Sequence, residues 1–271
     1  MAIALGVIAA VWLFGIRLEE RQAGTKDDAS AIAIWAVLAG VIGARLYHVA
    51  TDIEKFRGQW GKVIEIWHGG LGIPGGLVLG TVVGLYVTHR RGLSMAVAAT
   101  CAAPAVPLAQ AIGRWGNYFN QELYGRPTSL PWGLKIDPEN LEAGYAVGTV
   151  FHPTFLYESL WCLGLCVVLL WIDRRFRPAP GQLMAMYIIG YGIGRFWVEG
   201  LRIDEADHVG GLRFNQWVAV GFIVVGTVAL LIMRMYPVAE PVLQTDTDTG
   251  LSQADEDQTP DRTDAETPAP E

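Results

Sequence analysis

Two stretches of the chain place polar side chains where an otherwise apolar helix is predicted to end. The first covers residues 113–124 and contributes Arg114, Asn117, Asn120 and Glu122. The second has spacings of four, four and three, which put its members on one helical face. Those members are Tyr191, Arg195, Glu199 and Arg202. Charged groups at membrane depth are costly unless they have a function. Because guanidinium forks match phosphate oxygens, the two stretches predict a phosphate site at a bilayer surface.

The composition supplies the membrane that this inference requires. The chain of 271 residues is 52% hydrophobic and has a mean hydropathy of +0.31, and a soluble domain so apolar would aggregate. Most of its apolar runs approach the roughly 20 residues that cross a bilayer. The expected spans are 2–16, 31–50, 70–88, 94–112, 154–172, 183–200 and 215–235. We therefore expect an all-α, polytopic membrane bundle of about seven transmembrane helices.

Clusters of basic residues indicate the orientation, because cytoplasmic connections are enriched in Lys and Arg. Three clusters fall on the same side as the C-terminus, at residues 17–26, 90–91 and 174–177. The 20 lysines and arginines nevertheless divide evenly between the two sides, so the orientation depends on these dense clusters and on assigning several opposite-side arginines to the site. We expect the N-terminus outside and the C-terminus inside, with residues 1–235 as the membrane domain. The long loop at about 114–152 is expected to form a small extracytoplasmic cap.

The C-terminal segment, residues 236–271, has a different composition from the rest of the chain. From position 237 onward it carries ten acidic residues and one arginine, which predicts a disordered cytoplasmic tail. Without this tail the chain is slightly basic, so the net charge of −7 does not indicate a preferred substrate. Regulation by the tail is possible in principle, but a solvated segment without a specific partner is the simpler interpretation.

Nothing in the sequence indicates a cofactor, a metal or a nucleic-acid partner. The three cysteines, Cys101, Cys162 and Cys166, fall within expected spans, where a free thiol behaves as a small apolar residue. The chain has no phosphate-binding Gly-Lys-Ser/Thr loop, no dinucleotide fingerprint and no histidine and carboxylate pattern with metal-ligand spacing.

The third expected span opens on two glycine pairs, Gly69-Gly70 and Gly75-Gly76. From position 72 to position 84, glycine then recurs every fourth residue, which is the spacing that lets two membrane helices pack closely. The pairs at the mouth of the span also allow a lipid headgroup to approach backbone N–H groups. Both interpretations are compatible with the same residues.

Four motifs occur together in this chain. They are Gly113-Arg114-Trp115-Gly116-Asn117 with Glu122 and Gly125, His152-Pro153-Thr154 with Tyr157-Glu158, Gly190-Tyr191-Gly192 with Arg195, Glu199 and Arg202, and the glycine-rich opening of the third span. Together they resemble the bacterial prolipoprotein diacylglyceryl transferases over residues 1–235. The resemblance implies a multi-pass enzyme of the bacterial cytoplasmic (inner) membrane that acts in the first step of lipoprotein maturation. It implies transfer of the diacylglyceryl group of phosphatidylglycerol to the lipobox cysteine of a prolipoprotein signal peptide, forming a thioether and releasing glycerol phosphate.

The resemblance also implies roles for individual residues. Arg114 and Arg195 would stabilise the phosphate leaving group, and Asn117 and Asn120 would bind headgroup oxygens. Glu122 and Glu199 would hold the arginines in position. The remaining residues expected to bind substrate are Gly125, Tyr191, Arg202, Gly69, Gly70, Gly75 and Gly76. For each arginine the alternative is a structural ion pair or a side chain that extends to interfacial water. For Arg126 and Arg202 that alternative has equal weight.

The base that accepts the thiol proton is left open by the sequence. Many relatives have a histidine before the second glycine pair, but this chain has Pro74 there, which cannot accept a proton. His68 and His152 are the candidates on the outer side, since histidine titrates near neutral pH. The positive charge of the arginines is a third possibility, because it lowers the pKa of a nearby thiol.

Two further expectations concern the N-terminus and the competing functions. The first apolar run is only about 15 residues long, which is short for a bilayer, and relatives carry an extra outer segment before it, so we expect the true start to lie upstream.

The competing function is an anion or lipid transporter whose arginines bind a passing anion. A membrane scaffold would explain the spans but not the arginines and glutamates on one helical face.

Overall fold

The computed structural model describes residues 1–65, 69–70, 72–204 and 206–237, without the side chains of Lys55 and Trp60. The α-helices in this part of the chain are α1 (Ala2–Glu20), α2 (Lys26–Thr51), α3 (Ile53–Phe56), α4 (Ile73–Arg90), α5 (Met95–Ala102), α6 (Ala105–Gly113), α7 (Trp115–Asn120), α8 (Thr154–Phe176), α9 (Gln182–Leu201) and α10 (Phe214–Met235). Short 3₁₀ helices cover Trp60–Ile64 and Pro138–Asn140. The strands are β1 (Leu134–Lys135), β2 (Val150–Phe151), β3 (His208–Val209) and β4 (Leu212–Arg213). The expected acidic tail lies almost entirely outside the described residues.

Each apolar run that the sequence singles out contains helix. Five helical stretches in the described part of the chain are long and apolar enough to cross a membrane, namely Ala2–Glu20, Lys26–Thr51, Met95–Asn120, Thr154–Phe176 and Phe214–Met235. Helices α4 and α9 are not among these five. Helix α4 ends in a histidine and an arginine, and α9 carries an arginine and a glutamate. The chain is thus a helical, multi-pass membrane protein.

The stretch Met95–Asn120 is broken in two places. The first break divides the expected span 94–112, whereas the second falls where the sequence predicts that the apolar helix ends. Pro104 caps α6 after the break at Ala103, because proline lacks the N–H that would continue the preceding helix. A second break falls at Arg114, which ends α6 and precedes α7. The arginine therefore lies at a junction between helices and not inside one.

Local signals account for where several helices begin. The Thr25 and Asp28 side chains form a reciprocal capping box at the start of α2. Ser94 caps α5 through the backbone N–H of Val97. Pro74 lies in the first turn of α4, where its missing N–H costs nothing. Proline at this position is therefore compatible with the start of α4.

Helices α2 and α4 pack closely because glycines face each other along their contact. A Cβ on Gly43 would collide with the Gly75 carbonyl oxygen, and a Cβ on Gly80 would come within 3.0 Å of the Ala36 carbonyl oxygen. The backbone N–H of Gly72 also donates to the carbonyl of Ala44 at 2.8 Å. These contacts support the packing interpretation of the glycine repeat.

A buried ion cluster ties α1 to α8 near their C-terminal ends. Arg17 and Arg21 both meet the carboxylate of Asp173, which is almost completely buried. The Cys101 thiol donates to the Arg17 carbonyl at 3.4 Å. All three cysteines are buried and free, as the packing interpretation expects.

A small lobe between α7 and α8 has its own core of Tyr124, Ile136 and Phe151. Strands β1 and β2 pair in antiparallel fashion within it. Burial raises the pKa of the Tyr124 hydroxyl, although the N–H of Glu142 donates to it. On the other side of β2 the segment after Gly125 pairs both with this strand and with the end of α9. The lobe is therefore fastened to the helix that carries the second arginine.

Candidate active site

Arg114 and Arg195 come together on either side of one buried carboxylate. The Nη2 atom of Arg114 lies 2.6 Å from Oε1 of Glu158, and Nη1 of Arg195 lies 3.6 Å from the same oxygen. The α6–α7 junction, α8 and α9 supply one residue each. The structure thus brings together the two arginines that the sequence singled out, although they are far apart in the chain.

A second carboxylate, Glu199, continues the arrangement from Arg195 to the start of α10. Its Oε2 atom lies 2.8 Å from Arg195 and 3.7 Å from Arg202. Its Oε1 atom accepts hydrogen bonds from Nε of Arg213 at 2.9 Å and from Asn215 at 3.2 Å. Glu199 is fully buried, so these donors compensate for the loss of water.

Asp204 ends this chain of alternating charges. Its carboxylate binds Arg202 through two hydrogen bonds of 2.7 and 2.9 Å and lies 3.1 Å from Nη2 of Arg213. Burial opposes ionisation of Asp204, but the hydrogen bonds and charge of Arg202 and the charge of Arg213 outweigh it and hold the pKa of the carboxyl below its ordinary value. The carboxylate is therefore ionised at neutral pH.

The four arginines fall into two kinds according to their contacts. Arg202 and Arg213 donate well-aligned hydrogen bonds to carboxylates or to a backbone carbonyl. Arg114 and Arg195 approach their carboxylates as ion pairs, and the facing oxygens, Oε1 of Glu158 and Oε2 of Glu199, receive no hydrogen bond of good geometry within the described residues. The side chains of Arg114 and Arg195 are also more exposed, at 22% and 16%, than those of Arg202 and Arg213, at 7% and 9%. A ligand would therefore reach Arg114 and Arg195 more easily.

The net charge of the cluster suits an anionic ligand. Among the described residues it contains four guanidinium groups and three carboxylates, which leaves one positive charge: Arg114, Arg195, Arg202 and Arg213 against Glu158, Glu199 and Asp204. In a partly dehydrated site an unbalanced charge attracts a counter-ion strongly. A phosphodiester, with a single negative charge, would neutralise it.

The expectation that Glu122 holds an arginine is wrong. Its Oε1 atom accepts hydrogen bonds from the amides of Asn117 at 2.9 Å and Asn120 at 3.0 Å. The chain turns at Gln121, which has a left-handed backbone with φ of 52°, and the N–H of Glu122 returns to the Asn117 carbonyl. This turn directs the carboxylate back to the end of α7, so Glu158 takes the position beside Arg114.

Gly125 lies where a larger residue does not fit. An added Cβ would come within 2.9 Å of the His152 Cβ and 3.0 Å of both the Leu201 carbonyl oxygen and a Thr154 methyl group. Its N–H donates to the His152 carbonyl at 2.9 Å, while Arg126 donates its backbone N–H to Leu201. Gly125 therefore joins His152 to the end of α9. The Arg126 side chain is exposed.

His152 belongs to a hydrogen-bonded group with two aromatic residues. Its Nδ1 atom lies 3.0 Å from the Tyr157 hydroxyl, and the indole N–H of Trp132 donates to the same hydroxyl at 3.0 Å. The Tyr157 ring stacks on Trp197 of α9 with a centroid distance of 5.9 Å. The other histidine candidate, His68, lies outside the described residues.

The glycine pairs have two different environments. Gly69 and Gly70 have positive φ angles of 84° and 72°, and both of their carbonyls accept hydrogen bonds from Nη1 of the buried Arg45. Gly75 and Gly76 pack against the backbone of α2. Helix packing accounts for the second pair, and a binding role is not needed to explain it.

Tyr191 lies one turn before Arg195 on α9. Its ring stacks on that of Tyr187 at 6.0 Å and contacts Phe222 of α10 at 6.1 Å. Its hydroxyl is close enough to Glu158 and Arg195 to interact with them electrostatically. Tyr191 is thus beside the arginine cluster, as its spacing predicts.

Comparison with known proteins decides the family. The model of the family described as prolipoprotein diacylglyceryl transferase matches residues 1–232. The chain belongs to this family. A relative in Streptomyces griseus subsp. griseus, named phosphatidylglycerol–prolipoprotein diacylglyceryl transferase, is 42% identical over 257 residues, which is 93% of this chain and 78% of the relative.

Two further relatives carry the same name. One, numbered 1 in Streptomyces coelicolor, is 44% identical over 263 residues, covering 94% of this chain and 76% of its own length. One in Cutibacterium acnes is 45% identical over 236 residues, covering 86% of this chain and 79% of its own length. The chain is thus similar to these transferases over most of its length.

Three residues of the charged cluster were not predicted as site residues from the sequence. Glu158 occurs in the Tyr157-Glu158 motif, to which the sequence assigns no role. The signal that identifies it is an acidic side chain inside an apolar span. Arg213 directly precedes the last span, and Asp204 follows Arg202 by two residues. Such positions also suit ordinary surface residues, so only the contacts reveal that these two complete the cluster.

Proposed function

We propose that this chain transfers the diacylglyceryl group of phosphatidylglycerol to the lipobox cysteine of a prolipoprotein. Family membership and the printed names of its relatives support the reaction. The observation that carries the proposal is the excess positive charge of the described cluster, in which Arg114 and Arg195 are the more exposed arginines.

The transfer replaces a carbon–oxygen bond by a carbon–sulfur bond. The cysteine sulfur attacks the carbon of the diacylglyceryl group that is bonded to the phosphate oxygen, and a thioether bond forms as that carbon–oxygen bond breaks. The electron pair of the broken bond leaves with glycerol phosphate, and the thiol proton passes to a base. Negative charge increases on the leaving phosphate, so preorganised guanidinium groups stabilise the transition state more than the bound lipid.

Arg114 and Arg195 are the residues that we assign to the phosphate. A lipid phosphate would compete with Glu158 for both guanidinium groups, and Glu199 keeps Arg195 oriented from the other side. Asn117 and Asn120 hold Glu122 at the end of α7, near the junction that presents Arg114, and we assign this group to the headgroup hydroxyls.

Of the two histidine candidates for the base, His152 lies within the described residues. Its ability to accept a proton depends on the tautomer of its ring. The Trp132 indole only donates, so the Tyr157 oxygen accepts its hydrogen. If His152 donates its Nδ1 hydrogen to Tyr157, its Nε2 atom is free to accept the thiol proton. The opposite tautomer leaves no free acceptor on the ring, so the hydrogen bond to Tyr157 decides whether His152 acts as a base.

We also propose the number of membrane spans and their orientation. We assign seven spans, with the N-terminus outside and the C-terminus inside the bacterial cytoplasmic membrane, because the basic clusters at 17–26, 90–91 and 174–177 then face the cytoplasm. The arginine cluster lies at the opposite ends of the same helices, at the outer leaflet. The lobe above α7 would be the extracytoplasmic cap, and both lipid and signal peptide would enter from the membrane.

Mass spectrometry of a lipobox peptide incubated with the purified protein and phosphatidylglycerol tests the function. We expect one diacylglyceryl addition per cysteine, reduced by a factor of at least about 100 in Arg114→Ala and Arg195→Ala. Arg234→Ala, at the far end of α10, is the matched arginine control and should retain activity. Flux of an anion into proteoliposomes without any acceptor peptide, together with no peptide modification, would instead indicate a transporter.

A further inference from the structure

Arg213 is buried at the first residue before α10, and every polar contact of its side chain is with the end of α9 and the residues that follow. Nε donates to Oε1 of Glu199 at 2.9 Å, Nη1 donates to the carbonyl of Arg202 at 3.2 Å, and Nη2 lies 3.1 Å from Asp204. The backbone N–H of Arg213 donates to the side chain of Gln216 at 3.1 Å. The residue is therefore fixed at both backbone and side chain.

These contacts divide the two oxygens of Glu199 between different partners. Oε1 is held by Arg213 and by Asn215, whose amide donates to it at 3.2 Å. Oε2 is left to face Arg195 at 2.8 Å, without a well-aligned hydrogen bond. The orientation of the fully buried carboxylate is thus set from α10, and it determines how Arg195 is held.

We propose that Arg213 is a positioning residue for phosphate binding, acting through Glu199 on Arg195. With Oε1 occupied, Glu199 offers Arg195 a single oxygen, and the rest of the guanidinium fork faces the lipid phosphate. Without Arg213, only the longer hydrogen bond of 3.2 Å from Asn215 holds Oε1. The carboxylate then rotates and takes Arg195 in a two-pronged pair, the preferred geometry of arginine and carboxylate. The arginine is then withdrawn from the ligand. This inference rests on the function proposed above.

The chemistry of the side chain explains why arginine occupies this position. A guanidinium group presents donors in a planar fork, which lets one side chain reach Glu199, Asp204 and a backbone carbonyl together. A lysine keeps the charge but offers one compact ammonium group, so it cannot reproduce the three contacts at once. Arg213→Lys should therefore keep part of the positioning of Glu199, and Arg213→Gln should lose it entirely.

The chain offers a matched control in Arg17. It is another buried arginine that pairs with a buried carboxylate, Asp173. Asp173 is fifteen positions after Glu158 on α8, or about 22 Å along the helix axis. Arg17→Gln should lower the thermal unfolding temperature in detergent, as Arg213→Gln does, while leaving the KM for phosphatidylglycerol unchanged.

Steady-state kinetics with separate titration of lipid and peptide test the proposal. We expect Arg213→Gln to raise the KM for phosphatidylglycerol about tenfold, equal to ~1.4 kcal/mol of binding free energy, with an unchanged KM for the peptide. The double variant Arg213→Gln/Glu199→Gln should recover part of the lipid affinity, because the neutral side chain no longer sequesters Arg195. An unchanged lipid KM in Arg213→Gln, or an equal rise in Arg17→Gln, would overturn the proposal.

Retention of phosphatidylglycerol in native mass spectrometry separates this inference from the function itself. If the wild-type chain modifies no peptide, the proposed function fails, while lipid retention still compares Arg213→Gln with Arg17→Gln. We expect the first variant to lose bound lipid and the second to keep it. If the wild type transfers normally and both variants retain lipid equally, the inference alone is wrong.

Discussion

Glu158 separates two arginines that would otherwise repel each other inside the bundle. It is almost completely buried and lies 2.6 Å from Arg114 and 3.6 Å from Arg195. The unequal distances show that its charge is committed more strongly to Arg114. A phosphate that enters between the arginines would therefore meet Arg195 first, since that contact is the weaker one to displace.

Replacing Glu158 tests its importance directly. We expect Glu158→Gln to lower the free energy of unfolding by about 3 kcal/mol, because removing one partner leaves buried charges unpaired, and to abolish transfer. Thermal unfolding in detergent and the peptide mass assay provide the measurements. Glu139→Gln is the control, since Glu139 is an exposed carboxylate of the lobe and has no assigned role in binding. Equal, small losses in the two variants would contradict the assignment.

Tyr157 decides whether His152 can act as a base, and the pH dependence of kcat/KM reports it. We expect the acidic limb of that profile to disappear in His152→Gln and to shift in Tyr157→Phe, which lacks the hydroxyl that holds Nδ1. Transfer by His152→Gln should fall by a factor of about 100 or more. His208→Gln, an exposed histidine, is the control. An unaltered acidic limb in His152→Gln would move the base to another group, with His68 the next to replace.

At the scale of helices, breaks and glycines place the site. Arg114 is available because α6 ends at Gly113 and α7 begins at Trp115, so its side chain leaves the helix axis at a junction. The Gly43 contact brings α4 against the backbone of α2. A glycine, which has no side chain, is present at both places. Both features set the distances between helices.

Two glycine substitutions separate packing from helix propensity. Gly43→Ala should destabilise the protein by about 1–3 kcal/mol, because the new methyl group meets the Gly75 carbonyl and the Leu79 side chain. Gly164→Ala on α8 meets open space and should stabilise by about 0.5–1 kcal/mol, since alanine loses less backbone entropy in a helix. Unfolding in detergent measures both. A stabilising Gly43→Ala would show that α2 and α4 are not in close contact.

At the scale of the whole membrane domain, charged clusters occupy both ends of the bundle. The Arg114–Glu158–Arg195 group lies near the beginning of α8, and Arg17 meets Asp173 near its end. Both clusters join helices that are distant in sequence, so each fixes one end of the bundle. Only the first contains arginines whose facing carboxylate oxygens lack aligned hydrogen bonds in the described residues.

Cysteine labelling tests the proposed orientation. Val147 in the lobe is 72% exposed, whereas Arg175 lies in the last turn of α8. We expect a membrane-impermeant maleimide to label Val147→Cys in intact cells and Arg175→Cys only after permeabilisation. The three native cysteines are buried and should give little background. The reverse labelling pattern would place the arginine cluster at the cytoplasmic leaflet.

Residue composition and motifs were sufficient to locate most of the long helices and to identify the membrane setting and the family. Apolar runs predict helices reliably because transfer into lipid depends on the composition of each segment and hardly on its partners. Arg114 and Arg195 were identifiable for the same reason, since an arginine at membrane depth is costly wherever the chain goes next. Residue types and spacing were sufficient for these conclusions.

The pairing of each carboxylate with its arginine is visible only in the folded chain. Glu158, Glu199 and Arg213 come from three different helix regions, and their contacts depend on how α8, α9 and α10 pack. Glu122 was expected beside an arginine, but the left-handed turn at Gln121 directs it to two asparagines. Side-chain partnership across helices is a property of distances, which sequence spacing fixes within one helix and leaves open between helices.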